Sequence, residues 1–321
     1  MTTHYAVAYY KICNIENPHL EVKKHKKFFK DHDIKGRIYL SEQGINGQIS
    51  TTVDGLAKYK EWMKSQEIFT GIQYKTHDLS EHIFDRMTVK YRKELVAVDL
   101  PIDFSKVGKH ISPAEWRKTL EEDDENLLVI DVRNDYEGKV GHFEKAIIPP
   151  LKTFREFPDY VEKLKEKYDP KKTKVLMYCT GGIRCEFFSP LMKQAGYDDV
   201  NQLDGGVIDY GLKEGNKHWK GKLFVFDDRL VTPISDDNAE TISTCELCQK
   251  SCDRYINCAN MDCNKLFIAC EECINEHKGL CSAECEKGRV RPFDHKAYPK
   301  PFRRQSFEEK QALKKGCSSC C

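Results

Sequence analysis

The apolar and aromatic run Tyr5-Ala6-Val7-Ala8-Tyr9-Tyr10-Lys11-Ile12 predicts a strand, and the amphipathic, lysine-rich stretch from Pro18 to His32 predicts a helix. Gly36 to Leu40 and Ile45 to Ser50 read as two strands about the turn Glu42-Gln43-Gly44. A second helix is expected from Val53 to Ser65, and a last strand over Ile72-Gln73-Tyr74-Lys75. The order βαββαβ predicts a ferredoxin-like or acylphosphatase-like α+β unit over residues 1–98.

The pattern then changes. Leu127-Leu128-Val129-Ile130-Asp131-Val132-Arg133 is an unbroken apolar run ending in charge, the signature of a strand buried in a parallel sheet. Ser112-Pro113-Ala114-Glu115 reads as a helix start, with Ser as N-cap, Pro first and Glu third. Val175-Leu176-Met177 leads into Tyr178-Cys179-Thr180-Gly181-Gly182-Ile183-Arg184-Cys185, and Tyr197-Asp198-Asp199-Val200 to Leu203-Asp204-Gly205-Gly206 reads as a further strand and turn. A doubly wound parallel sheet is expected over residues 108–232, and the acidic run Glu121 to Glu125 is read as a solvated loop.

The loop after Tyr178 carries the candidate chemistry. Backbone N–H groups in a glycine-bearing turn that enters a helix stabilise an anion, and a nearby arginine adds positive charge. That environment lowers a thiol pKa and makes Cys179 the candidate nucleophile, with Thr180, Gly181, Gly182, Ile183 and Arg184 as the anion loop. Only four residues separate Cys179 from Arg184, one fewer than in the phosphate cradle of cysteine phosphatases, so the loop suits a sulfur-bound group. With Gly141-His142-Phe143 and Ala146-Ile147, this spacing resembles the rhodanese superfamily. Asp131, Arg133 and Glu137 are read as structural ion-pair and capping groups, since charges at strand ends usually settle local geometry. Cys185 is either a second, resolving thiol or a small residue where related loops carry Ser.

The chain has 321 residues, 40% of them hydrophobic, and a net charge of +1, which predicts a soluble protein of two or three domains. No window approaches a membrane span, and Met1 to Tyr10 lacks the regions of a signal peptide, so a cytoplasmic protein with no membrane partner is expected. Fifteen cysteines in a reducing compartment point to metal or catalysis rather than disulfides, and twelve of them fall between Cys245 and Cys321. Cys245 and Cys248, Cys258 and Cys263, Cys270 and Cys273, and Cys281 and Cys285 form four close pairs, enough for two structural zinc sites within residues 240–321. Cys252 and His277 are further potential ligands, and spacing alone leaves open which pair joins which.

Two regions could contact RNA. Lys90, Tyr91, Arg92 and Lys93 place three cations around an aromatic, suited to stacking and charge pairing. Residues 286–315 hold ten Lys or Arg against four Asp or Glu, interleaved with Phe293, Tyr298, Phe302 and Phe307, and read equally as an RNA-gripping or a solvated tail. Lys23, Lys24, Lys26, Lys27 and Lys30 are read as a solvated helix face.

Several blocks taken together resemble one family. They are Glu42-Gln43-Gly44-Ile45-Asn46-Gly47, Val89-Lys90-Tyr91-Arg92-Lys93-Glu94-Leu95-Val96, Phe154-Arg155-Glu156-Phe157-Pro158, Cys179 to Glu186, and Phe224-Val225-Phe226-Asp227-Asp228-Arg229, followed by a cysteine-rich end. This arrangement is similar to the rhodanese-domain tRNA uridine(34) hydroxylases, the TrhO/YceA family, over nearly the whole chain. The resemblance implies dioxygen-dependent formation of 5-hydroxyuridine at the tRNA wobble position, with the family's essential cysteine falling on Cys179. Phe187 departs from the pattern, standing where the family carries Lys after Cys-Glu, so a basic contact at the loop exit is not expected.

The residues alone point to sulfur rather than oxygen. No flavin fingerprint is present, and His19-x-Glu21 and His142-x-Glu144 lack an identifiable third ligand for iron. The alternative reading is a sulfurtransferase working through a Cys179 persulfide with a sulfur-donor protein. A third reading, a zinc-bearing interaction protein with a degenerate rhodanese domain, sits poorly with an intact Cys179 and Arg184.

Overall fold

The computed structural model describes residues 3–122, 124–151 and 153–292, which fall in two compact units divided between Ile242 and Ser243. The first unit opens with strand β1 (His4–Ile12), helix α1 (Pro18–Phe28), strands β2 (Ile34–Ser41) and β3 (Gly44–Thr52), helix α2 (Val53–Lys64), and strands β4 (Lys75–Leu79) and β5 (Met87–Tyr91). They form a sheet in the order β4-β1-β3-β2-β5, antiparallel except for the β2-β5 pair. Asn17 caps α1 by accepting from the Leu20 N–H, and Thr52 caps α2 in the same way through Gly55. Ile34, Ile38, Leu40, Ile45 and Ile49 pack with Val22, Leu56, Tyr59 and Met63, so both helices cover one face of the sheet. Alternation along β2 and β3 turns Arg37, Tyr39, Asn46 and Gln48 to the other face.

Three expectations are corrected. Helix α1 ends at Phe28 rather than His32. The last strand begins at Lys75, because antiparallel pairing with β1 runs from Lys75 opposite Ala8 to Leu79 opposite His4, leaving Ile72 and Tyr74 to cover the core from a loop. A fifth strand, β5, lies beyond the expected βαββαβ order; it takes the free edge of β2 in a parallel pairing.

The rest of the first unit is built on a second sheet. Its strands are β6 (Lys109–Ile111), β7 (Leu127–Asp131), β9 (Ala146–Ile147), β10 (Lys174–Tyr178) and β11 (Asp199–Leu203). The order is β6-β11-β10-β7-β9, every pair parallel. Between these strands run α3 (Pro113–Glu121), α4 (Asp135–Val140), the short strand β8 (Gly141–Phe143), α5 (Phe157–Leu164) and α6 (Ile183–Gln194), and α7 (Gly206–Glu214) follows β11. Leu128, Ile130, Val175 and Met177 pack with Phe157, Val161, Phe187 and Phe188 of α5 and α6. Val129, Leu176 and Tyr178 face the other way, onto Trp116 of α3 and Val207 and Tyr210 of α7. Helices on both faces leave the central strand β10 buried on both sides, and its carboxyl end delivers Cys179.

The second unit is small. Strands β15 (Tyr255–Asn257) and β16 (Leu266–Ile268) form a hairpin, followed by helix α8 (Glu271–Glu276); the intervening β12 (Trp219–Gly221), β13 (Leu223–Phe224) and β14 (Val231–Thr232) belong to the first unit. Ile256, Phe267, Ile274 and Leu280 pack together with Leu247 in its small core, and cysteines fill much of the remainder. Among the described residues, no helix is long and apolar enough to cross a membrane.

Candidate active site and metal clusters

Cys179 is fully buried at the end of β10, and its Sγ accepts from the Gly182 N–H at 3.1 Å. Gly182 supports that turn with φ 102°, a conformation that favours glycine. The loop is held from behind by the start of α7: Val207 and Ile208 donate their N–H groups to the carbonyls of Cys179 and Thr180 at 3.0 and 3.1 Å. Gly206, at φ 68°, allows this approach, since a Cβ there would fall 2.6 Å from the Cys179 carbonyl oxygen.

Burial opposes ionisation of Cys179, but the Cys185 thiol, the Arg184 guanidinium and the N–H groups of Arg184 and Gly182 outweigh it and bring the thiol down to about 5. Cys179 is therefore a thiolate near neutrality. Cys185 is driven the other way, by its own burial and by donating to Cys179, and keeps its proton. Arg184 is fixed by Glu137, with Nη1 to Oε1 at 2.5 Å and Nη2 to Oε2 at 2.9 Å, and Nη2 also donates to Thr180 Oγ1 at 3.1 Å. Although burial disfavours its charge, Glu137 is held below the ordinary carboxylate range by Arg184.

Glu137 also accepts from the Asn134 N–H, closing a capping box on α4, so one carboxylate starts a helix and orients the loop arginine. Asp131 and Arg133 form a fully buried ion pair at 2.6 Å, and Tyr178 Oη donates to Asp131 at 2.9 Å.

The N-terminal sheet faces this loop. Lys75, at the start of β4, donates to the Gly181 carbonyl at 2.7 Å and sits over the Tyr10 ring. Tyr10 Oη donates to Glu186 Oε1 at 2.9 Å, and His110 Nε2 meets the same oxygen at 2.9 Å. Between sheet and loop lies a cavity of about 340 Å³, lined on one side by Cys179, Thr180, Gly181 and Arg184 and on the other by Tyr39, Asn46 and Gln48. Sequence reasoning missed Tyr10, Lys75 and the sheet residues, because nothing local marks a polar strand face as the wall of a pocket built more than a hundred residues later. At the loop exit Phe187 is fully buried in the core.

Of the candidate RNA contacts, Lys90 and Tyr91 lie on the edge strand β5. Tyr91 Oη donates to the Glu42 carboxylate at 3.3 Å, and its ring lies 4.3 Å from that of His19. The exposed Arg92 sits over the Tyr39 ring at 5.0 Å, and Lys93 is exposed. Lys23, Lys24, Lys26, Lys27 and Lys30 are exposed on α1 or just beyond it. The tail from Phe293 onward lies outside the described residues.

In the second unit the four cysteine pairs interleave. Cys245, Cys248, Cys270 and Cys273 form one group and Cys258, Cys263, Cys281 and Cys285 the other, with the Sγ atoms of each group within 4.8 Å of one another. Sγ separations of 3.6 Å between Cys248 and Cys270 and 3.7 Å between Cys263 and Cys281 match the edges, about 3.8 Å, of a tetrahedron of zinc–sulfur bonds. Cys252 and His277 belong to neither group. His4, Asp33 and His82 form a third potential ligand set at the start of β1, a grouping that the sequence separation concealed.

Family models match at residues 4–95 (UPF0176 acylphosphatase like domain), 112–212 (Rhodanese-like domain) and 220–286 (Rhodanase C-terminal). A single-domain sulfurtransferase structure from Saccharomyces cerevisiae is 19% identical over 36% of this chain and 97% of that one, with a TM-score of 0.30. A protein of Chlamydia trachomatis serovar D named tRNA uridine(34) hydroxylase is 53% identical, covering 94% of this chain and 93% of the relative. One of the same name from Chlamydia abortus is 51% identical, covering 99% and 98%. With that identity sustained through the loop domain and both flanking regions, the chain belongs to the tRNA uridine(34) hydroxylase family.

Proposed function

We propose that this protein hydroxylates the wobble uridine of tRNA at C5, using dioxygen, with Cys179 as the reacting thiolate. The observation that carries the reading is the identity of 53% over 94% of the chain and 51% over 99% of it to relatives named tRNA uridine(34) hydroxylase. The buried sulfur brought down to about 5, in the wall of a cavity with a polar wall opposite, supplies the reacting group. The names carried by full-length relatives support tRNA as the substrate. The overall change places one oxygen atom on C5 and reduces the other to water, which consumes two electrons and two protons that two external thiols would supply as they join in a disulfide. Arg184 orients the loop and offsets negative charge at the sulfur, and Cys185, protonated, donates to it. A tRNA substrate supports a cytoplasmic location.

The two cysteine groups fit zinc, which would be held by Cys245, Cys248, Cys270 and Cys273 and by Cys258, Cys263, Cys281 and Cys285. Four thiolates per ion close the coordination shell, so zinc there would fold the segment rather than take part in the reaction.

The same thiolate would accept a sulfane sulfur from a donor protein, and the loop alone does not separate the two activities. Unmodified tRNA incubated with the protein and a thiol in air should gain 5-hydroxyuridine at position 34, measured by nucleoside mass spectrometry. Anaerobic incubation and Cys179→Ser should each abolish the gain. Sulfur turnover from thiosulfate with unchanged uridine would transfer the assignment to sulfur relay.

A further inference from the structure

We infer that the face of the N-terminal sheet opposite Cys179 reads the uracil base, seating its O4 and N3 edge on Asn46, Gln48 and Arg37 so that C5 and C6 point toward the thiolate. The inference rests on the hydroxylase reading for the identity of the base, and on the ladder of the sheet for its geometry.

Pairing in the sheet sets side chains in rungs. Tyr10 of β1 lies opposite Asn46 of β3, and Asn46 lies opposite Tyr39 of β2. The next rung joins Lys75, Ala8, Gln48 and Arg37. Paired residues project to one face. The helices cover the other, so these two rungs, uninterrupted by a large apolar residue, form the cavity wall facing the cysteine loop.

The chemistry of that wall is selective. Arg37 is fixed by donating Nη1 to the Phe226 carbonyl at 2.8 Å, which leaves further N–H groups of a group that can only donate. None of the hydrogen bonds among the described residues engages the carboxamide of Asn46 or Gln48, each of which offers a donor and an acceptor. Uracil presents two carbonyl acceptors around one N–H donor. Cytosine replaces O4 by an amino donor, which a guanidinium repels and leaves unpaired. Tyr39, with Arg92 over its ring, and the apolar Phe154 and Phe226 add flat surface for an extruded base. With its pairing edge on the sheet, a uracil turns its C5–C6 edge, on the opposite side of the ring, toward the loop. The cavity lies within the size range of small-ligand sites.

The test follows protection of Cys179 from iodoacetamide in the full-length zinc-loaded protein, so it reads occupancy without requiring hydroxylation. An anticodon stem–loop RNA with uridine at position 34 should slow alkylation at concentrations where the cytidine version does not, with selectivity of roughly tenfold to a hundredfold. Asn46→Leu and Gln48→Leu should remove that selectivity while overall RNA affinity, set by phosphate contacts, stays nearly constant. Gln48→Glu, equal in size but only an acceptor, should shift protection toward cytidine. Equal protection by both RNAs, or unchanged selectivity in these variants, would overturn the inference even if hydroxylation is observed. Selective protection without hydroxylation would uphold the pocket and sink the proposed reaction instead.

Discussion

Both carboxylate oxygens of Glu137 hold the guanidinium of Arg184, at 2.5 and 2.9 Å, although the two residues stand 47 positions apart on different helices. Both are buried, so removing one partner strands the other's charge. Glu137→Ala should therefore destabilise the protein by about 3–5 kcal/mol, more than an ordinary cap deletion. Denaturant unfolding checks this, and a loss below about 1 kcal/mol would mean the pair is not the clamp described.

The thiolate makes a prediction about pH. A thiol near 5 is ionised above that value and protonated below it, so alkylation of Cys179 should be fast and flat above about pH 7 and fall as pH drops through about 5. Arg184→Ala removes a positive charge and Cys185→Ala a donor, and both should move the midpoint upward. A wild-type midpoint above pH 8, found by mass-spectrometric labelling, would refute the loop electrostatics.

Gly206 is the steric test of the backing helix. At φ 68° and with its Cβ position 2.6 Å from the Cys179 carbonyl oxygen, Gly206→Ala cannot be accommodated without moving the loop. It should cost about 1–3 kcal/mol in stability. The alkylation midpoint of Cys179 should also rise, because the N–H groups around the sulfur lose their aim. Wild-type values for both would show that the loop does not depend on α7.

Metal analysis tests the second unit. The intact chain should carry about two zinc ions, and Cys248→Ser or Cys281→Ser should each lower the content by about one or more and loosen the segment to proteolysis. Less than half an equivalent in protein purified without chelator would overturn both sites.

Lys90, Arg92 and Lys93 make an electrostatic prediction. If they meet the tRNA backbone, replacing each by Ala should weaken binding alike for uridine and cytidine at position 34 and reduce the salt slope by about 1 per contact. An unchanged slope would assign these residues to packing, as the Arg92–Tyr39 stacking allows.

Legibility in the sequence followed locality. The unbroken runs at Leu127 and Val175 declared buried parallel strands, and the loop from Cys179 to Arg184 is contiguous, so both could be read directly. Strand β5 does carry a signal, Met87, Val89 and Tyr91 alternating with Thr88 and Lys90, but five residues of alternation at a sheet edge are short, and the cations beyond them drew the reading toward a surface contact. The tie between Glu137 and Arg184 escaped because the cap it makes on α4 is a sufficient local reason for that glutamate. The cavity wall was hidden for a related reason: Arg37, Tyr39, Asn46 and Gln48 sit at the outward positions of alternating strands, and the same alternation describes a face open to water.

The interleaving of the cysteine groups has a consequence for how the second unit can be lost. Cys258 and Cys263 lie within the chain that joins Cys248 to Cys270, and Cys270 and Cys273 lie within the chain that joins Cys263 to Cys281. The segment is a cross-brace rather than two beads on a string. No cut between Cys248 and Cys281 leaves both sets of four cysteines on one fragment, and a nick between Cys263 and Cys270 divides both at once. Only cuts between Cys248 and Cys258 or between Cys273 and Cys281 leave one complete set of four cysteines on a single fragment, so a surviving one-site fragment should begin or end in one of those two stretches, and any nick between Cys258 and Cys273 should cost both sites.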